Sequence, residues 1–242
     1  MFIQLPLNMG LAETISFDTF VSADMPTELA VARFQTMLRK GVAEAIYLQG
    51  PPGVGKTHLM QAACRLMSEQ HHQSVYLPLA DPQLPLIADV LQGLEKTHLI
   101  CLDDVESVIG QPDWDQAVCD LLTRAQSLGH CVVLSGQAQL SDWPTHHHKL
   151  SQALMSVLPM HLPALSDPKL LVRALQKHAL KLGFELPKEV GNFMVRAFSP
   201  QMRELMSALK VLEQASAIEK RRMTLPFVKQ VLNHSAVSET SR

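Results

Sequence analysis

The stretch that decides the fold is Gly50-Pro51-Pro52-Gly53-Val54-Gly55-Lys56-Thr57. It follows the apolar run 45–48 and precedes a helical pattern that opens with His58, which gives the order strand, loop, helix. A G-x-x-x-x-G-K-T run in that order forms a P-loop, because its glycines let the backbone N–H groups converge on phosphate oxygens. Lys56 then reaches the β- and γ-phosphates, and Thr57 offers its hydroxyl to Mg²⁺. These eight residues and His58, at the positive end of the helix, are predicted to bind ADP or ATP with Mg²⁺.

Composition limits the classes of protein to consider. The chain has 242 residues, of which 47% are hydrophobic and 18% charged, as in an ordered globular protein. A formal net charge of -2 gives no general attraction to nucleic acid. No apolar run reaches the ~18 residues of a membrane span and no leader pattern opens the chain, so we expect a cytoplasmic protein without membrane contact. Four cysteines without a C-x-x-C spacing predict buried free thiols, namely Cys64, Cys101, Cys119 and Cys131.

Two carboxylates follow a second apolar run, 99–102, at Asp103 and Asp104. In P-loop proteins the acid at that strand end helps to hold Mg²⁺, so Asp103 is predicted to join Thr57 as a metal ligand and Asp104 to orient or deprotonate an attacking water. A surface turn with two aspartates is the alternative. Ser135 and Gln137, after the run 131–134, are candidates to sense the γ-phosphate.

Apolar runs alternate with helical patterns over the first two thirds of the chain, which predicts a parallel sheet covered on both faces. The helical segments expected there are 27–40, 84–94 and 114–128, with a fifth strand at 160–162. From residue 165 only helices are predicted, at 168–182, 187–198, 199–220 and 224–232. The fold class is therefore α/β, a P-loop parallel sheet sandwiched by helices and followed by a small helical domain.

The predicted divisions are a terminal peptide 1–10, an α/β domain 11–164, a helical domain 165–234 and a flexible tail 235–242. Arg203 falls in the first turn of a helix in the helical domain, where the helix dipole disfavours a cation. We predict that Arg203 faces a phosphate, the alternative being an ordinary exposed arginine.

The chain resembles AAA+ proteins, and among them the DnaA group. The resemblance covers most of residues 14–232 and rests on Ser16 to Val21, Ile46-Tyr47-Leu48, Gly55-Lys56-Thr57-His58-Leu59, Asp103-Asp104 and Met202-Arg203-Glu204-Leu205. It implies an AAA+ sheet domain with a helical lid and a bound nucleotide.

Within that group the chain is similar to the Hda family, since it ends soon after the lid and carries Gln4-Leu5-Pro6-Leu7 near its start. The resemblance implies that Gln4, Leu5 and Leu7 bind the DNA polymerase sliding clamp (β subunit) as an extended peptide. From the residues alone, the alternative is that the same leucines pack against the domain. The implied function is a nucleotide-bound regulator that binds clamp and DnaA, promotes hydrolysis of DnaA-bound ATP and so restrains replication initiation. DNA contact would be indirect, through the clamp at the nucleoid, and a homo-oligomer is left open.

One departure affects the implied mechanism. Members of the family carry an arginine that reaches a neighbour's ATP, whereas Ala153 stands at the corresponding place and no arginine occurs between Arg124 and Arg173. An arginine finger contributes roughly 10³ to 10⁵ in rate, and Lys149 lacks its planar fork. Two alternatives therefore stay open: an adaptor that recruits DnaA without stimulating hydrolysis, and an autonomous DNA-stimulated ATPase of the helicase-loader or transposition-helper type. Three adjacent histidines, 146–148, diverge too much to predict a metal site.

Overall fold

The computed structural model describes residues 14–84, 86–198 and 202–239. The predicted clamp-binding residues Gln4, Leu5 and Leu7 lie outside this part of the chain. The described residues form two compact units, one of residues 24–164 and one of residues 14–23 with 165–239. Among the described residues, no helix is both long and apolar enough to cross a membrane.

The first unit is built on five parallel strands, as the alternating pattern predicts. They are β1 (Ala45–Gln49), β2 (Ser74–Pro78), β3 (Leu99–Asp103), β4 (Cys131–Gly136) and β5 (Leu158–His161). Their order in the sheet is β2-β3-β4-β1-β5. Strand β4 therefore separates β1, which leads into the P-loop, from β3, which ends at Asp103. The register pairs Tyr47 with Leu134 and Leu134 with Leu102, so these strand ends meet at one edge.

Helices cover both faces of this sheet. They are α1 (Met25–Lys40), α2 (Lys56–Glu69), α3 (Pro112–Ser127) and the short α4 (His148–Leu154). Alternate residues of β3 divide between the faces: Ile100 and Leu102 join a buried cluster with α3, whereas the Cys101 thiol lies 3.9 Å from a carbonyl of α2. Both faces are apolar because both are covered. All four cysteines are free and buried, which confirms the expectation.

The predicted helix 84–94 is wrong. The structure has two short 3-10 turns there, Ala88–Leu91 and Leu94–Lys96, separated by Gly93 with a φ of 85°. Only seven residues separate Pro85 from Gly93 in the sequence, too few to offset the cost of starting an α-helix. Elsewhere the predicted helices agree with the structure to within three residues at each end, apart from the end of the last helix. Helix α1, for example, begins after Asp24, which accepts a hydrogen bond from the Thr27 N–H at 2.8 Å, and stops at Gly41.

The second unit is a bundle of four helices, as predicted. These are α5 (Pro168–Lys181), α6 (Lys188–Ala197), α7 (Met202–Glu219) and α8 (Leu225–Glu239). Its core contains Leu175, Leu205, Leu209 and Phe227, all fully buried. The last helix continues to Glu239, so its predicted end at residue 232 is corrected, while the flexible tail from residue 235 stays a prediction. No proline or glycine follows Pro226 in the sequence to end the helix earlier.

Residues 14–23 form the remaining part of this second unit. They contain a 3-10 turn, Phe17–Thr19, within a capping box of Ser16 and Thr19. Lys177 of α5 donates hydrogen bonds to the carbonyls of Asp18 (2.7 Å) and Phe20 (3.2 Å). This segment therefore groups with the helices, and the α/β unit begins at Asp24 rather than at the predicted residue 11.

Candidate nucleotide site

The loop between β1 and α2 has the backbone that a phosphate-binding loop requires. Gly53 and Gly55 have φ values of 81° and 100°, in the left-handed region that side chains disfavour. Gly55 is also the residue from which α2 starts, so the helix N-terminus begins directly at Lys56. Gly50 leaves no room for a side chain, because an added Cβ would overlap the Leu162 carbonyl oxygen. The predicted strand, loop and helix are thus present.

Lys56 is buried under this loop, with 7% of its surface exposed. Its ammonium donates to the carbonyl oxygens of Gly50 (2.7 Å) and Pro51 (3.2 Å), and within the described residues it makes no ion pair. Burial lowers the pKa of Lys56, while the carboxylates of Asp104, Asp103 and Glu106 act in the opposite direction. A buried cation without an ionic partner, at a helix N-terminus, fits an anionic phosphate.

Asp103 joins four elements of the α/β unit at one carboxylate. The side chain is 3% exposed and accepts hydrogen bonds from the hydroxyls of Thr57 (2.6 Å) and Tyr76 (2.7 Å) and from Ser135. The structure therefore brings together Thr57 and Asp103, the two predicted Mg²⁺ ligands. A hydroxyl and a carboxylate are the oxygen donors that Mg²⁺ takes alongside phosphates and water, so this pair fits the cation.

Asp104 and Ser135 are linked behind this pair. Asp104 is exposed and adopts a left-handed backbone with a φ of 53°, and its N–H donates to the Ser135 hydroxyl at 2.8 Å. Ser135 lies inside β4, not after it, and is fully buried while it donates to Asp103. Of the two residues predicted to sense the γ-phosphate, Ser135 connects β3 to β4, and Gln137 is the exposed one.

Glu106 was not predicted from the sequence, and it connects three segments around the site. One carboxylate oxygen accepts hydrogen bonds from the Tyr47 hydroxyl (2.8 Å) and from the N–H groups of Gln137 (2.7 Å) and Ala138 (2.6 Å). An added Cβ at Gly136 would overlap this carboxylate and the Tyr47 hydroxyl, so these side chains would have to move. The turn after β3 is thereby fixed to the loop after β4.

Tyrosines supply the other contacts that the sequence analysis missed. Burial and then the neighbouring carboxylate raise the pKa of Tyr47, beside Glu106, and of Tyr76, beside Asp103. Both phenols therefore stay protonated and act as donors. Tyr76 is separated from Asp103 by 27 positions and Tyr47 from Glu106 by 59. No local sequence signal indicates such pairs; only the D-D-x-E spacing around Asp104 singles out Glu106.

Helices α7 and α4 carry the remaining candidate residues. Arg203 is an exposed residue in the first turn of α7, as predicted, and belongs to the helical unit. Ala153 is half-buried against the core of the α/β unit, whereas Lys149 is exposed.

A structural role accounts for one of the three adjacent histidines. The Nδ1 atom of His147 accepts from the Leu150 N–H (3.1 Å) and caps α4, so Nε2 carries the proton and donates to Gln116 (3.0 Å). No cluster of three or more histidine, cysteine or acidic side chains among the described residues is arranged to hold a metal ion.

Comparison with known proteins supports the fold described above. Residues 168–232 match the family model described as Hda, lid domain. Domain III of the Thermotoga maritima replication initiation protein DnaA has a TM-score of 0.71 and 19% identity, over 95% of this chain and 98% of that one. DnaA from Aquifex aeolicus bound to AMPPCP has a TM-score of 0.64 and 18% identity, over 84% of this chain and 66% of that one. The Thermotoga maritima RuvB Holliday junction branch migration motor has a TM-score of 0.62 and 14% identity, over 90% of this chain and 71% of that one. The chain therefore has the AAA+ fold of DnaA domain III, and its C-terminal helices resemble the Hda lid domain.

Proposed function

We propose that this chain is a nucleotide-bound AAA+ regulator of replication initiation, which binds the sliding clamp and DnaA and promotes hydrolysis of DnaA-bound ATP. The observation that carries the proposal is the match of residues 168–232 to the Hda lid domain, on a chain whose fold is that of DnaA domain III. The proposed setting is the cytoplasm, at the nucleoid through the clamp, with DNA contacted only indirectly.

The nucleotide site supports the first part of this proposal. In it, the residues 50–58 hold the phosphates of ADP or ATP, and the buried Lys56 supplies the charge that faces them. Thr57 and Asp103 would hold Mg²⁺, which offsets phosphate charge when bound. Asp104 orients a water, and Arg203 from the helical unit contacts a phosphate. One of the structures similar in fold supports nucleotide binding, since it is DnaA from Aquifex aeolicus bound to AMPPCP.

A thermal-shift experiment tests nucleotide binding. At a nucleotide concentration a hundred times Kd, a site that exists only in the folded state adds about 2.7 kcal/mol to stability. We expect MgATP or MgADP to raise the melting temperature of the wild type and of the control Lys40→Ala, which changes an exposed lysine at the end of α1. The same nucleotides should leave Lys56→Ala almost unchanged. An equal shift in all three proteins would remove the phosphate-binding role of Lys56.

The clamp contact is proposed for Gln4, Leu5 and Leu7. An extended peptide of this kind binds through side chains inserted into pockets of the partner. Removal of residues 1–8 should abolish binding to purified clamp while the thermal shift with nucleotide persists. Clamp binding that survives the deletion, or that is absent from the full chain, would contradict this part of the proposal.

A second candidate is an adaptor that recruits DnaA without accelerating hydrolysis. It is favoured by α4, which has no arginine and in which Ala153 packs against the core. Lys149 on the same helix is exposed but can present only a point charge. Single-turnover hydrolysis of DnaA-bound ATP, with and without this protein and loaded clamp, separates the two: acceleration supports the regulator, and stable complex formation without acceleration supports the adaptor.

An autonomous ATPase is the third alternative, and it is distinguished by its dependence on DNA. Steady-state ATP turnover by this chain alone, stimulated by DNA in the absence of clamp and DnaA, would favour that alternative over both regulatory functions.

A further inference from the structure

A groove of about 710 Å³ lies between the two 3-10 turns of residues 88–96 and one face of α3. The α3 residues that line it include Asp113, Ala117, Asp120 and Arg124, which are spaced by three or four positions and so share one helix face. A volume of this size is in the range of binding pockets in proteins. None of the residues assigned to the nucleotide site lines it.

The groove has an apolar floor and an exposed apolar edge. Ala88, Leu91 and Leu121 are buried at its base. Ile87, at its edge, exposes 67% of its surface. A large aliphatic side chain that is this exposed beside an apolar floor offers area for a partner to bury.

The rim of the groove is acidic. Four carboxylates line it, from Asp89, Glu95, Asp113 and Asp120, against the single cation of Arg124, which leaves a formal charge of -3. Within the described part of the chain, none of these five side chains makes an ion pair. Unneutralised carboxylates around an apolar floor repel nucleic acid and anionic lipid and attract cationic side chains.

We propose that this groove binds a basic amphipathic segment of a partner protein. The apolar side chains of that segment pack against Leu91, Leu121 and Ile87, and its lysines or arginines pair with the carboxylates of the rim. The charge of the rim selects the sign of the partner, and the floor supplies the area that is buried. This surface goes beyond the proposed function, which uses the nucleotide site, Arg203 and the terminal peptide.

The test uses the full chain and a fluorescein-labelled peptide of 16 residues with leucines at helical spacing and lysines flanking them. A second peptide, with glutamate in place of each lysine, is the charge control. We expect saturable binding of the basic peptide by fluorescence anisotropy at low salt, weaker binding as salt rises, and no binding of the acidic peptide.

Variants locate that binding on the groove. Because an ion pair at a protein surface contributes modestly, Glu95→Gln/Asp120→Asn should weaken binding of the basic peptide by about two- to tenfold at low salt. Ile87→Ser should weaken it also, without loss of folding, since Ile87 is mostly exposed. Glu28→Gln, an exposed acid of α1 away from the groove, should bind like the wild type. Unchanged affinity in both groove variants, equal binding of the acidic peptide, or no saturable binding of the basic one would overturn the proposal.

Discussion

Replacement of Glu106 by alanine should destabilise the α/β unit by about 2 to 3 kcal/mol. The substitution removes the oxygen that accepts hydrogen bonds from Tyr47, Gln137 and Ala138. It thereby detaches the turn after β3 from the loop after β4. The substitution destabilises the folded state and not the unfolded chain, because these partners are distant in sequence and meet Glu106 only on folding.

The magnitude follows from the surroundings of each donor. A hydrogen bond to a charged group contributes roughly 1.5 to 3 kcal/mol, and a buried donor left without a partner costs about 1 to 3 kcal/mol. Gln137 and Ala138 are exposed, so water can replace the carboxylate at both N–H groups. The Tyr47 hydroxyl also lies 2.7 Å from the Ala138 carbonyl and keeps an acceptor there. The total therefore lies well below the sum of three charged bonds, and Tyr47→Phe should cost only about 1 kcal/mol.

Urea unfolding followed by tryptophan fluorescence measures the stability of the α/β unit. The chain has two tryptophans, Trp114 and Trp143, and both are buried in the α/β unit, so the signal does not report on the helical unit. Asp89→Ala is the matched control, since that exposed carboxylate accepts a hydrogen bond from Gln92, three residues away, and its loss should change stability by less than ~0.5 kcal/mol. A Glu106→Ala loss as small as that of the control would refute the reasoning, and so would a larger loss in Tyr47→Phe.

Three further changes probe other parts of the α/β unit by the same fluorescence assay. Burial raises the pKa of the Cys131 thiol to about 12, so above pH ~8.5 the folded state keeps a proton that the unfolded chain loses. The free energy of unfolding should therefore fall as the pH rises above this value. In Cys131→Ala the fall should be less steep, by up to about 1.4 kcal/mol per pH unit. His147→Ala should cost about 1 kcal/mol through the lost helix cap, and His147→Asn should restore most of it, since asparagine also caps helices. Gly136→Ala should displace Glu106 and destabilise the protein at least as much as Glu106→Ala. Unchanged stability in Gly136→Ala would mean that the Glu106 carboxylate does not lie tightly against residue 136.

The strands and most helices were predictable because each carries its own local pattern. The run from Leu99 to Leu102 is apolar throughout because both faces of β3 are covered, and the change to helices alone at residue 165 separates the lid helices from the sheet. The helix predicted at 84–94 was wrong although the apolar residues of this segment suggest one. Helix formation also depends on length, and Gly93 interrupts the segment.

The candidate site was predictable where one segment supplies several groups. The P-loop and the pair Asp103-Asp104 are short motifs whose chemistry can be inferred from the sequence. Thr57 contacts Asp103 because the carboxyl ends of parallel strands lie at the same edge of the sheet. The contacts of Tyr76 and Glu106 were not predictable because their partners lie on other strands or just after them, and the strand order that brings them together is not encoded in periodicity.

Hydrolysis of ATP by DnaA is the measurement that tests the central claim most directly. Purified DnaA carrying radiolabelled ATP is mixed with clamp loaded on DNA and with this protein in its nucleotide-bound form, and the conversion to ADP is followed. The proposed regulator accelerates that conversion, loses the effect when residues 1–8 are removed, and loses it in Lys56→Ala. No acceleration in the complete mixture, with nucleotide binding and clamp binding both intact, would contradict the claim.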